Sequence, residues 1–155
     1  MDNKEIFKAV FHPDEKSTYT YSLPEIVNIS EHTLNKDLEQ HSSSYLWFAS
    51  LVARLTVKRD SIIQVVKVAS ANTELLYRDK AAKSGEKSTE NSIKAQVDTD
   101  KNLLAIKSQL AEAEAELQMC STIKDAFYHR MNCLVALGAN IRQEMKSLSV
   151  DNLKE

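Results

Sequence analysis

The side chains best suited to chemistry here are four histidines, two cysteines and a short run of alternating glutamates, and their spacing supports little of it. His12, His32, His41 and His129 stand without Cys or carboxylate partners at recognised metal-ligand spacing. No metal is expected. Cys120 and Cys133 form no CxxC pair and lie too far apart on one expected helix to bridge, so both read as small buried thiols. His129, between Tyr128 and Arg130, reads as a structural or hydrogen-bonding residue rather than a base. Glu112, Glu114 and Glu116 alternate with alanines, a spacing that spreads carboxylates around a helix instead of pairing them for acid–base work. Gly-rich phosphate loops, HExxH pairs and nucleophile elbows are absent from the sequence. The chemistry expected is therefore binding, without catalysis and without a cofactor.

The residues that could bind something are cationic. Net charge is −2 overall, yet residues 51–94 hold nine basic and five acidic side chains, against four and eight in residues 1–50 and seven and nine in residues 95–155. The basic middle comprises Arg54, Lys58, Arg59 and Lys67, then Arg78, Lys80, Lys83, Lys87 and Lys94, with Tyr77 as its one ring. Cations that track phosphates and rings that stack on bases are what a single nucleic-acid strand requires. A solvated charged face, offset by Glu74, Asp79, Glu86 and Glu90, is the simpler reading of the same residues.

Positioning these groups falls to helices. Two glycines (Gly85, Gly138) and two prolines (Pro13, Pro24) are too few for the turns of a β-rich fold. The expected fold is all-α: short N-terminal helices, then a long antiparallel helical hairpin with coiled-coil-like packing, assembling as a homo-oligomer. Residues 1–21 read as a flexible or loosely docked arm, residues 22–148 as a single helical domain and residues 149–155 as a tail. Ser22, Pro24 and Glu25 signal a helix start, giving a helix over about 23–40. Ser42, Ser43 and Ser44 then suggest a bend or a new start, with the next helix over 44–80.

That helix carries Phe48, Val52, Leu55, Ile62, Val66, Ala69 and Leu76 in alternating steps of four and three, which outweighs the strand preference of its β-branched residues. Residues 81–88 read as the turn, Thr89 as the cap of a helix over 90–97, and Asp98 or Thr99 as the cap of one over 100–147. The last helix has the cleanest seam, from Leu103 through Ile106, Leu110, Ala113, Leu117 and Cys120 to Phe127, Met131, Leu134, Gly138, Ile141, Met145 and Leu148. Lys124 is its one charged member, with Ile123 beside it to cover the gap. Gly138, without a side chain, predicts a tight helix crossing.

A bare pair of such helices leaves Trp47, Phe48, Phe127, Met131 and Leu134 partly wet, which points to an interface between copies. The alternative is a monomer whose N-terminal helices fold back to complete a bundle. The N-terminus lacks a basic region followed by an apolar run, and no stretch approaches the roughly 18 apolar residues of a membrane span. A cytoplasmic setting is the expectation.

Three stretches, SSSYLWFASLVARL (42–55), KSTENSIKAQV (87–97) and AFYHRMNCLVALGANIRQEM (126–145), resemble a group of small phage proteins similar to the UvsY-type recombination mediators. The likeness spans roughly residues 23–145. It implies a ring-like homo-oligomer in the host cytoplasm, acting in DNA recombination and with it replication and repair. Such a protein binds single-stranded DNA, contacts the single-strand-binding protein and helps a recombinase displace it. By the same resemblance, Arg78, Lys80 and Lys83, ahead of Ser84 and Gly85, match the family's DNA-binding turn, although Asp79 is inserted among them. Lys87, Lys58, Arg59 and Tyr77 complete the candidate DNA contacts. Phe127, Met131, Leu134, Gly138, Ile141 and Met145 match its oligomerisation helix. The competing expectation is a helical scaffold or adaptor that binds no nucleic acid.

Overall fold

A computed structural model describes residues 8–24, 28–85 and 89–151. The chain is mostly helical. Strands β1 (Lys8–Asp14) and β2 (Ser17–Ser22) form an antiparallel hairpin, a single 3-10 turn follows at Glu31–Thr33, and three helices complete the chain: α1 (Leu34–Ser84), α2 (Glu90–Asp98) and α3 (Lys101–Asp151).

The hairpin corrects the expectation of a flexible N-terminal arm. Burial along β1 alternates strictly, with Ala9, Phe11 and Pro13 inward. In the pairing, Ala9 faces Tyr21 and Phe11 faces Tyr19, and the register becomes irregular between Phe11 and Asp14, where Pro13 has no N–H to give the ladder. The turn uses neither Gly nor Pro. Instead the Asp14 carboxylate accepts from the Lys16 amide at 2.9 Å and from the Ser17 hydroxyl at 3.0 Å, closing the reversal through a side chain.

Two compact units organise the rest, one made of Met1–Val52 with Met119–Glu155 and the other of Ala53–Gln118. Within the first, Leu34 lies near Gly138, Asp37 pairs with Arg130, and Phe48 stacks on Phe127, so α1 and α3 run antiparallel there. Ala113, Cys120, Phe127 and Leu134, all buried, recur every seven residues along α3. Ile123 is buried beside Lys124, which turns aside to pair with Asp125 at 3.3 Å, so the charged seam position is covered as the sequence suggested. The hairpin then closes this core, because Tyr21 packs on Phe48 with ring centroids 5.0 Å apart.

That docking alters what the apolar faces offer. Phe48, Phe127 and Leu134 are buried inside their own unit and not wet, whereas Trp47 and Met131 remain partly exposed. The segment that covers these rings is the hairpin, formed by residues expected to be a flexible arm.

Leu23 and Pro24 are helical and the Asn28 amide donates to the Pro24 carbonyl, but residues 28–30 are not helical, so no single helix runs over 23–40. Part of that predicted helix, residues 25–27, lies outside the described residues. Nor do the three serines start a new helix: α1 passes through them unbroken, and the Ser43 hydroxyl donates back to the Gln40 carbonyl at 2.8 Å, as serines inside helices do.

In the second unit the Lys58–Glu116 and Tyr77–Asp100 contacts again make α1 and α3 antiparallel. Gly85, at φ +70°, ends α1 in the left-handed conformation that favours glycine. Thr89 caps α2 as expected, its hydroxyl accepting from the Ser92 amide at 3.2 Å. The cap of α3 is Asp100 in place of Asp98 or Thr99. Its carboxylate accepts from the Asn102 and Leu103 amides, both at 3.0 Å, and these bonds hold its carboxyl below the usual carboxylate range. No described helix is long and apolar enough to cross a membrane.

Candidate functional site

The candidate cations divide into two groups once the second unit is formed. Lys58 donates to Glu116 at 2.8 Å, Arg59 to Asp60 at 2.6 Å, and Arg78 to both Glu74 and Glu90, at 2.7 and 2.9 Å. These three are engaged by carboxylates. Tyr77 is also occupied, since its hydroxyl meets the Asp100 carboxylate at 3.2 Å and the Lys80 ammonium lies 5.1 Å from its ring centroid.

Lys80, Lys83, Lys94 and Lys101 form the second group. All are exposed, and none has an ion-pair partner within 4.0 Å among the described residues. Their placement is tied together by local contacts: Lys80 sits over Tyr77, Tyr77 bonds Asp100, Lys101 follows Asp100, and Lys94 lies one turn beyond the Glu90 that holds Arg78. Lys87 lies outside the described residues. Lys101 escaped the sequence reading because it belongs to the acidic last third of the chain and reaches this end only when α2 and α3 fold back.

Folding also cancels much of the apparent basicity. The unit Ala53–Gln118 contains eleven Lys and Arg against ten Asp and Glu, because it also takes in Asp98, Asp100, Glu112, Glu114 and Glu116 from beyond the basic stretch. What persists is a local arrangement of lysines, with no broad positive field.

The candidate interface residues lie in the first unit. Phe127 and Leu134 serve the chain's own core, and Gly138 is buried: a methyl there would meet Leu34 and Arg142 at 3.6 Å, an ordinary contact. Its close neighbour is thus α1 of the same chain. Ile141 is half-buried, while Met131 and Met145 are exposed, in company with Tyr128, Val135 and Leu148.

A second site was not anticipated. Between the hairpin, α1 and α3 of the first unit lies a cleft of about 550 Å³ with aromatic walls from Tyr21, Trp47, Phe48 and Phe127. Its polar side holds Asp37, Gln40, His41 and Arg130. Arg130 donates to Asp37 at 3.0 Å and to the Asn28 carbonyl at 2.9 Å. The Thr33 hydroxyl, 2.8 Å away, and then Arg130 hold the Asp37 carboxyl below its usual range, against the opposing effect of its desolvation. The Trp47 indole donates to the Tyr21 hydroxyl, which fixes one wall. The only sequence signal for this site was the i, i+4 spacing of Asp37 and His41.

Burial, and secondarily Arg130, disfavours the imidazolium of His41 and lowers its pKa below 6.5. The unfolded chain takes up a proton near pH 6.5 that the folded chain refuses, so the stability associated with neutral His41 is complete above that pH and is lost below it. Denaturant midpoints should therefore fall between about pH 7.5 and about pH 5.5. His41→Gln should flatten that fall, and an equal slope in the variant would assign it to other groups.

The remaining titratable residues carry no comparable arrangement. His129 is exposed and meets Tyr128 edge-on. Cys120 is buried and its thiol is pushed up to about 11 by desolvation, so it is unreactive. Cys133, expected to be buried, is exposed, because the inward position belongs to Leu134. Among the described residues no group of three or more His, Cys, Asp or Glu could hold a metal ion. No protein-family model, curated protein or solved structure matches this chain significantly.

Proposed function

We propose that this chain is a non-enzymatic mediator of DNA recombination, a homo-oligomer that holds single-stranded DNA and presents it to a recombinase in competition with a single-strand-binding protein. The observation that supports it is the set of exposed lysines, Lys80, Lys83, Lys94 and Lys101, without an ion-pair partner among the described residues, at the end of the second unit where the helices turn. One such set binds weakly. Several copies in a ring acting on one strand gain avidity without new contacts, and the exposed Met131, Val135, Met145 and Leu148 on α3 supply apolar surface for assembly. The recombinase and the single-strand-binding protein enter through the resemblance of residues 23–145 to UvsY-type mediators. The mechanism is differential affinity, since a protein that favours the extended strand shifts the competition towards the recombinase.

Salt dependence tests this reading. Oligonucleotide affinity should fall steeply with salt, and Lys80→Ala, Lys83→Ala and Lys101→Ala together should lower the log–log slope by roughly 2, at about 0.7 per single-strand phosphate contact. Arg59→Ala, which removes a cation already held by Asp60, should leave the slope unchanged. Equal slopes in the triple variant and the parent would move the DNA site elsewhere. The near balance of charge in this unit, together with exposed Val57, Val65, Val68 and Leu75 on α1, favours a second reading as a protein-binding scaffold. Absence of any oligonucleotide binding at low salt would select it.

A further inference from the structure

The cleft in the first unit has features that its structural role leaves unused. His41 and Arg130 are only 8% and 9% exposed, yet His41 Nδ1 and Arg130 Nε have no hydrogen-bond partner among the described residues. Buried polar atoms are ordinarily satisfied, and leaving one unpaired is costly. Both side chains line a space that also has aromatic walls.

Charge narrows the class of ligand. Asp37 and Arg130 neutralise each other, so the cleft has no strong preference for a free anion or cation. It offers instead a carboxylate acceptor beside a guanidinium donor, with the Gln40 amide and the Ser44 hydroxyl near them. A flat heteroaromatic ring with donors and acceptors on its edge matches this combination of aromatic surface and paired polar groups. The wall is also reachable, because Trp47 is 39% exposed although Phe48 and Phe127 behind it are buried. We propose that this cleft binds an unstacked nucleobase, with Trp47 and Tyr21 against its face and Asp37 and Arg130 at its edge.

The choice of a nucleic-acid base rests on the single-strand-binding reading above, but the site is separate from the lysines that support it. Base contacts of this kind add stacking and edge hydrogen bonds to phosphate attraction.

Trp47 is the only tryptophan in the chain, so its fluorescence and its lone indole N–H resonance report on this cleft alone. The full chain is titrated with deoxyadenosine and deoxyguanosine monophosphates, with inorganic phosphate and deoxyribose 5-phosphate as controls. Saturable quenching and a moving indole resonance with a nucleotide, and neither with the controls, is the expected result. Ser44→Leu should fill the mouth and weaken the nucleotide response about tenfold, and Gln40→Ala, at an exposed rim position, serves if that variant does not fold. A silent Trp47, or an equal response to phosphate, overturns the proposal. Oligonucleotide binding that is steeply salt-dependent but leaves Trp47 unmoved also overturns it, while sparing the mediator reading. A nucleotide response without oligonucleotide binding upholds the cleft and removes the mediator reading.

Discussion

Phe48→Ala is expected to destabilise the protein by about 3–5 kcal/mol, the range for removing a large aromatic side chain from a core. Phe48 is 3% exposed, with the Tyr21 and Phe127 ring centroids 5.0 and 5.2 Å away. It is the residue through which the hairpin, α1 and α3 meet. The loss combines the forfeited transfer energy with the cavity that remains, since neighbours tied to strand and helix backbones relax only partly. Against a total stability of about 5–15 kcal/mol, such a loss is large. Urea denaturation measures it, with Val57→Ala as an exposed control expected to stay within about 0.5 kcal/mol. A loss below about 1 kcal/mol in Phe48→Ala would mean that the hairpin does not depend on this stack.

Arg130→Met is expected to cost about 3 kcal/mol for a different reason. The arginine is buried and reaches both the Asp37 carboxylate and the Asn28 carbonyl, so its loss leaves two acceptors short of a donor. Asp37 retains the Thr33 hydroxyl and some solvent, which keeps the penalty at the lower end of the range for broken buried pairs. The exposed pairs of Arg78 are salt-screened and contribute far less. At about 2–4 °C per kcal/mol for a chain of this size, the melting temperature should fall by roughly 6–12 °C. Arg130→Lys should recover only part of that, since a single ammonium replaces a planar fork poorly. Full recovery by lysine would show that charge alone matters at this position.

The seven-residue recurrence of Ala113, Cys120, Phe127 and Leu134 marks the inner face of α3 before any partner is known, because a helix repeats its face whatever it packs against. Thr89 likewise marks a helix start through its own side-chain chemistry, whereas α1 continues through residues 81–84, expected to belong to the turn, and ends only at Gly85. The serines at 42–44 misled because a serine can bond a carbonyl within its own helix as readily as it caps a new one.

The hairpin was harder to read for a physical reason. A lone two-stranded hairpin is marginal in water, so Ala9, Phe11, Tyr19 and Tyr21 acquire a stable strand register only when the helices provide Trp47 and Phe48 to pack on. Ion pairing of the candidate cations followed the same division. Arg78 with Glu74 is a helical i, i+4 neighbour visible in sequence, whereas Lys58 with Glu116 joins residues from two helices.

By itself the sequence determined the helical periods, the inward recurrence of Ala113, Cys120, Phe127 and Leu134 on α3, and the cap of α2, because each depends on contacts within a few residues. Tertiary structure alone decided which aromatic rings meet, that Arg130 finds Asp37, and which lysines lack a carboxylate partner among the described residues. Those outcomes depend on groups brought together from distant parts of the chain, and local pattern carries no record of which distant group arrives.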